Sequence, residues 1–341
     1  MFVPPQQRFN STFRSAGKFG LLLLAAAFFL SFHLSAIVSA SKEEKKILIL
    51  FPGQSDLAAY PLAERGIKSA LAEGTEFRIE YFIEYMDRYR NSDEAHYRQL
   101  LDIYRHKYSS KKFDLIIVFS APALDWVIAH GDEIFPQTPV VFTAILKEQL
   151  KRLDIKANVT GVLADIDFVG LLDTALQIHP QTRRVVVVNG ASRTDLFFEK
   201  KIRKALEPFT NQLELNYLTR LSLDEIAEKV RNLPEDTVVL FYLLTRDGAG
   251  KGFPPWEAAS IVANAANAPV YGCLETYFGH GIVGGRLSSL EMSGVKAGEM
   301  GLRILRGAKP SDIPQSGQGT IHNLFDWREL KRWGISEDRL P

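Results

Sequence analysis

The chain has 341 residues, of which 46% are hydrophobic and 24% charged, an ordinary globular composition with room for two domains of about 100–150 residues each. Its formal charge of +1 hides an asymmetry. Arg8, Arg14 and Lys18 lie in the first 40 residues, which hold no acid, and the remainder carries 38 basic against 40 acidic residues, a balance of −2 that excludes the basic footprint of a nucleic-acid binder. The single cysteine, Cys273, excludes an internal disulfide; on a strand-like run it reads as a small buried apolar group rather than a nucleophile.

In chain order, the basic start is followed by the apolar run Gly20–Leu30 and by Val38-Ser39-Ala40 ahead of the charged Ser41-Lys42-Glu43-Glu44. This is the pattern of a targeting segment, residues 1–40. Small residues at Val38 and Ala40 suit cleavage after Ala40, whereas Phe19–Ala40 is close to the roughly 20 residues that span a bilayer, so an uncleaved membrane anchor is the alternative. Either way the rest of the chain is expected to be periplasmic or otherwise extracytoplasmic, touching a membrane only through this segment. No cysteine follows the apolar run, so a lipid anchor is not indicated.

Beyond residue 45 short β-rich runs alternate with amphipathic segments, the signature of parallel sheets covered by helices on both faces. The strands expected are Lys46–Phe51, Phe77–Ile83, Leu115–Phe119 and Val140–Thr143, then Arg184–Asn189, Leu213–Leu218, Val238–Leu243 and Val270–Cys273. Helices are expected at Leu57–Ala72, Asp93–Tyr108, Phe168–Ile178, Leu196–Leu206, Leu223–Arg231, Trp256–Ala266 and Met292–Leu305, the last stopped by Gly307 and Pro310. The pattern restarts after a charged stretch, Lys147–Asn158, so the fold class is α/β, with two doubly wound parallel-sheet lobes and a cleft between them. Ligands of such sheets collect outside the carboxyl ends of the strands. The residues at those ends are Gln54, Ser55, Ser120, Thr143, Asn189, Ser192, Thr245, Arg246, Glu275 and Tyr277. Hydroxyls, amides, one guanidinium, one carboxylate and one ring can orient a small polar ligand, although turn chemistry and helix capping explain each serine, threonine or asparagine singly.

Catalytic motifs are incomplete. Gly279-His280-Gly281-Ile282-Val283-Gly284 has the spacing of a dinucleotide fingerprint, but it comes far from the first strand, and no immediate helix follows Gly285. Gly190-Ala191-Ser192-Arg193-Thr194 lacks the closing glycine of a nucleophile elbow, and Arg246–Gly252 lacks the first glycine and the final Ser/Thr of a phosphate loop. The seven histidines include no pair at metal-ligand spacing. His96 and His106 read as solvent-exposed, and His280 as a neutral loop residue. Asp165 and Asp167 precede a helix, where capping is the simpler account. The aromatic stretch containing Tyr81, Phe82, Tyr85, Tyr89, Tyr97, Tyr104 and Tyr108, with Arg88, Arg90, Arg98 and Arg105 between, has helix spacing from Tyr97 to Tyr108 and suggests packing onto a sheet. No catalytic residue, metal site or cofactor is expected.

Three stretches carry a family resemblance: Phe113–Ser120, Thr138–Ala144 and, most specifically, Gly294–Pro314 with its Lys309-Pro310-Ser311-Asp312-Ile313-Pro314 end. The chain from Ile47 onward resembles the substrate-binding proteins of ABC transporters with the type I periplasmic-binding-protein fold. It resembles in particular the branch also found as the extracytoplasmic sensor region of bacterial histidine kinases. The resemblance implies two lobes joined by three crossings that close on a small-molecule ligand. It divides the chain into an N-terminal lobe at 45–145 plus 276–308, a C-terminal lobe at 146–275 plus 309–327, and a tail at 328–341, and Asp326–Pro341 resembles the segment that leads into a second membrane helix in the kinases. It implies that Met292–Leu305 packs on the first lobe and that Gly319–Leu324 crosses back. Ser120, Thr143, Ser192, Thr245 and Glu275 then become ligand contacts and Tyr277 a stacking wall, with Arg246 for a carboxylate and Glu275 for an amine. Gly279, Gly281, Gly284 and Gly285 become hinge residues. The implied partner is an ABC permease or a membrane sensor protein. An α/β enzyme remains as a third class, requiring acid and base groups that converge in the cleft.

Overall fold

The computed structural model describes residues 42–88 and 93–341; the targeting segment and, in the aromatic stretch, Tyr89 and Arg90 lie outside the described residues. Strands β1 (Glu43–Phe51), β2 (Phe77–Tyr85), β3 (Leu115–Phe119), β4 (Val140–Ile145) and β5 (Val159–Leu163) form one sheet in the order β2-β1-β3-β4-β5. The pairings β1–β3, β3–β4 and β4–β5 are parallel. Ile47–Phe51 and all of β3 are buried, as strands covered on both faces must be. Helices α1 (Ala59–Ala72), α2 (Glu94–Tyr108) and α3 (Ser120–Ile134) belong to this half. Tyr104 and Tyr108 seat α2 in a core together with Leu100, while Leu101 packs against it half-buried, and Trp126 of α3 stands edge-on to Tyr104 at 5.4 Å.

Helix α3 is absent from the sequence expectation because Ser120-Ala121-Pro122 reads as a loop, yet proline is tolerated in a first helical turn, where no N–H is needed. Strand β5 is hidden too, being short and carrying Gly161. A Cβ there would stand 2.2 Å from Phe142 O, so only glycine lets β5 close on β4, whose register shifts between Phe142 and Ile145. It pairs in the first sheet, although the sequence division gives residues 146–275 to the second lobe.

The second sheet holds β6 (Arg184–Asn189), β7 (Glu214–Leu218), β8 (Thr237–Leu243), β9 (Val270–Gly272), β10 (Gly284–Ser288) and β11 (Ile321–Phe325) in the order β11-β10-β9-β8-β6-β7. Only β10–β11 is antiparallel among these pairings. Helix α4 (Lys147–Leu150) joins β4 to β5 of the first sheet and buries Leu150 in its core, whereas α5 (Phe168–Ile178), α6 (Arg193–Leu206), α7 (Leu223–Val230) and α8 (Pro255–Ala265) follow the alternation of the second. The core includes Val185–Val188 and Val238–Phe241, and it extends to Leu330 of α10 (Trp327–Arg332) and to Ile335. Thus residues 328–341, expected as a tail, include side chains packed on this core. Cys273 is buried within it, its thiol against Tyr242 O at 3.4 Å and pushed up in pKa by burial.

The chain passes between the two sheets three times: after β5, after β10 and before β11. Helix α9 (Leu290–Leu305), reached by the second passage, lies on α1 with almost no separation. A Cβ on Gly66 would fall 2.0 Å from Glu291 O, and one on Gly294 would fall 2.2 Å from Ala63 O. Thr143 of β4 donates to Ser293 O at 3.3 Å on the same helix. Before β11, Thr160 donates to Ile313 O and Leu163 N to Ser316 O, so 313–316 still belongs beside β5. Residues 44–75 and 79–341 form one compact unit, to which all these contacts belong.

Two outcomes follow from this packing. Gly294→Ala should lower the unfolding free energy by about 1–3 kcal/mol in urea titration, although alanine is the better helix former; a gain would show that α1 and α9 are further apart. His179, held below its ordinary pKa by burial and then by Arg339, bonds Tyr271 through Nε2 at 2.8 Å. Its neutral form is the folded one, so the stability it contributes is full above about pH 6.5 and is lost as pH falls through the lower folded value. Thermal unfolding across roughly pH 5–8 should show that loss, and His179→Gln should flatten it.

Candidate functional site

At the carboxyl end of the second sheet, polar groups converge on one residue that sequence reasoning passed over. Asp195 is 0% exposed, and its carboxylate accepts from Ser192 N at 3.0 Å, Thr245 Oγ1 at 2.9 Å, Thr245 N at 3.2 Å and Arg246 N at 3.2 Å. Ser192 caps α6 by accepting from Asp195 N, and Thr245 Oγ1 lies 2.7 Å from Ser192 Oγ. Asn189, fully buried, donates to Asp195 O at 2.7 Å. The loop after β6 is thereby stapled to the loop after β8. Gly190 is required between them, because a Cβ would sit 2.2 Å from Asp195 Oδ2. The signal in the sequence is Ser192-x-x-Asp195, a capping box.

The expected residues therefore divide. Ser192, Thr245 and Asn189 are brought together, Ser192 and Thr245 half-buried and Asn189 enclosed. Arg246 joins them by its main chain only; its exposed guanidinium turns to Gly250 O at 2.7 Å, within its own loop. Glu275 accepts from Ser289 Oγ at 2.9 Å and Leu290 N at 3.0 Å, so its carboxylate sits on the N-terminus of α9, where the helix dipole favours negative charge. Tyr277 is not a wall open to a ligand. It is 0% exposed, donates to Tyr242 O at 2.8 Å and lies edge-on to Phe241, and burial pushes its hydroxyl pKa well up.

At the carboxyl end of the first sheet, Gly53 N donates to Tyr60 Oη at 2.8 Å, and Phe51 stacks on Tyr60 at 4.5 Å beneath the loop. Gln54 rises from this loop with its Oε1 buried and unpartnered, while Ser55 is exposed. Ser120 opens α3 at φ 65°, and Ala144, at the bulge in β4, has φ 59°. Non-glycine residues in the left-handed region are strained by about 1–3 kcal/mol and collect at functional sites. Thr143 is enclosed and bonded to α9, so it props that helix.

The four glycines serve the sheet and its approach. Gly279 and Gly281 have φ 82° and 89° in the turn before β10. Gly284 and Gly285 are the first residues of β10, at φ 134° and 143°, and a Cβ on either would meet Leu324 O at 2.1 Å or Leu171 Cδ1 at 2.4 Å. The passage to α9 comes later, at Ser289, whose N–H donates to Thr320 O at 2.7 Å on the passage into β11. Arg286 and Asp167 pair at 2.7 Å beside the passage that follows β5.

A cavity of about 220 Å³ receives Leu146, Glu148, Gln149 and Arg152 from the segment after β4 and Arg193, Thr194, Phe197 and Phe198 from α6. Glu148 and Lys201 pair across these segments at 2.8 Å, which holds the Glu148 carboxyl below its usual pKa. Among the described residues no group of three or more His, Cys, Asp and Glu could hold a metal ion, and no helix is long and apolar enough to cross a membrane.

Residues 58–336 match the family model described as ABC transporter substrate binding protein. The chain belongs to this family. Curated proteins offer no match. Among solved structures, the ligand-free, open CD0873 of Clostridium difficile, a substrate binding protein with adhesive properties, is similar at 19% identity and TM-score 0.63, covering 86% of this chain and 96% of that one. An ABC domain of Streptococcus pneumoniae in complex with L-Trp matches at 17% identity and TM-score 0.57, with 86% and 96% covered. A periplasmic ribose ABC transporter protein of Conexibacter woesei matches at 16% identity and TM-score 0.54, with 89% and 99% covered. At these identities the likeness is one of fold, and it is the type I periplasmic-binding-protein fold.

Asp195→Ala in this substrate-binding protein strips three main-chain N–H groups of their acceptor. The variant should lose about 2–4 kcal/mol in urea unfolding; unchanged stability would mean that water replaces the carboxylate.

Proposed function

We propose that the protein binds a small solute outside the cytoplasm, between the carboxyl ends of its two sheets, and delivers it to an ABC permease. The family match over residues 58–336 carries this reading. Polar groups at both sheet ends support it: Gln54, Ser55 and Ser120 on one side, Ser192, Thr245 and Arg246 on the other, with Glu275 where the chain passes between them. Thr143, Asn189 and Tyr277, being enclosed, support these groups from behind. The three passages act together as the hinge, with Ser289 and Thr320 at its centre, and the Glu148–Lys201 pair is made or broken as the lobes move. The ligands of the relatives, L-Trp among them, are the first solutes to try.

The reading is tested by thermal-shift screening of the purified protein against amino acids, sugars and organic acids. A ligand present at about a hundredfold excess over its Kd stabilises the folded state by about 2.7 kcal/mol, so a true ligand should raise Tm by several degrees. A flat response across all three classes would overturn it.

A further inference from the structure

Arg88 follows β2, and the bond its N–H donates to Pro52 O, at 2.7 Å, fixes it at the carboxyl end of the first sheet. Only 8% of the residue is exposed. Its guanidinium lies over Tyr97, 4.3 Å from the ring centroid, and Nη1 donates to Pro122 O at the start of α3. No carboxylate among the described residues pairs with it. Nε is buried without a partner, and Nη2 donates no hydrogen bond to any of the described residues. Gln54, two residues beyond the carbonyl that holds Arg88, has its Oε1 buried and unpartnered as well.

A guanidinium enclosed in protein is costly unless its charge and donors are answered. One carbonyl and one ring face answer part of the need, and they account for Nη1 and the plane of the group. They leave the edge formed by Nε and Nη2, which is the edge that matches the two oxygens of a carboxylate side-on. The neighbouring backbone is also held out of its ordinary basins, with Asp87 at φ 50° and Ser120 at φ 65°. A purely structural arginine would not leave this edge of its fork spare.

We propose that Arg88 is the anion anchor of the solute site, its Nε–Nη2 edge taking a carboxylate of the bound solute while Gln54 Oε1 accepts from a donor on the same molecule. This rests on the solute-binding reading above and narrows it to small organic carboxylates.

The test is calorimetric titration of the whole protein with L-phenylalanine, L-lactate, 4-hydroxybenzoate and succinate, each against its amide, with myo-inositol as a neutral solute. At least one carboxylate should bind, about a hundredfold more tightly than its amide. Arg88→Gln should erase that preference by weakening the carboxylate alone. Arg88→Lys, which keeps the charge without the fork, should recover only part of it, and melting curves of both variants check that they fold. The anchor is overturned if carboxylate and amide bind alike, or if Arg88→Gln melts lower yet binds the carboxylate unchanged. Binding of myo-inositol with no carboxylate bound would overturn it while leaving the solute-binding reading intact. If nothing binds, both readings fall.

Discussion

Backbone meets backbone where α9 lies on α1, and the rest of the molecule is arranged around that closeness. Gly66, Gly294 and Gly298 allow it, since a Cβ on any of them would press within 2.7 Å of the facing helix. Because α9 follows a strand of the second sheet but packs on the first, the chain must leave one layer and later return. The closest packing in the first half therefore dictates that the two halves share three passages rather than one. Glu275 on the start of α9, and the Ser289–Thr320 bond, hold the entry and the exit of that excursion side by side.

This arrangement makes the two halves unequal partners. The loops at the end of the second sheet are stapled by Asp195, a single buried acceptor with donors from two loops, so Ser192 and Thr245 present fixed hydroxyls. The loops at the end of the first sheet are built differently, on stacked aromatic rings and on residues in left-handed backbone. One side is held by polar saturation and the other by packing with polar groups left over. A solute captured between them would meet ready-made geometry on one side and unmet hydrogen-bonding capacity on the other.

The sheets are largely legible in the sequence because their strands are continuous apolar runs; β3 and β6 begin and end where composition says they should. What escapes are elements whose residues carry the wrong local signal. In β5 and β10, glycines read as loops because the requirement they meet, close approach to Phe142 or Leu324, is a tertiary one. Helix α3 is masked by Pro122. The lobe boundaries shift for the same reason, since β5 and β10 lie at the points where the chain changes sheets. At the candidate site, the loops after the strands can be found from topology, but the direction of each side chain cannot. Tyr277 and Thr143 turn into packed interiors, Arg246 folds back on its own loop, and no single position in the sequence reveals the burial of Asp195 and Arg88.

Cys273 has a consequence of a practical kind. The chain holds one thiol, and it is enclosed and disfavoured as thiolate by burial. Reactivity follows thiolate character and exposure, so this sulfur is chemically quiet in the folded state. The wild-type protein is in effect a blank background for site-directed labelling: a cysteine placed on a surface loop would be the sole target of a maleimide dye. The distance between two such dyes could then report the relative motion of the halves without first removing a native residue.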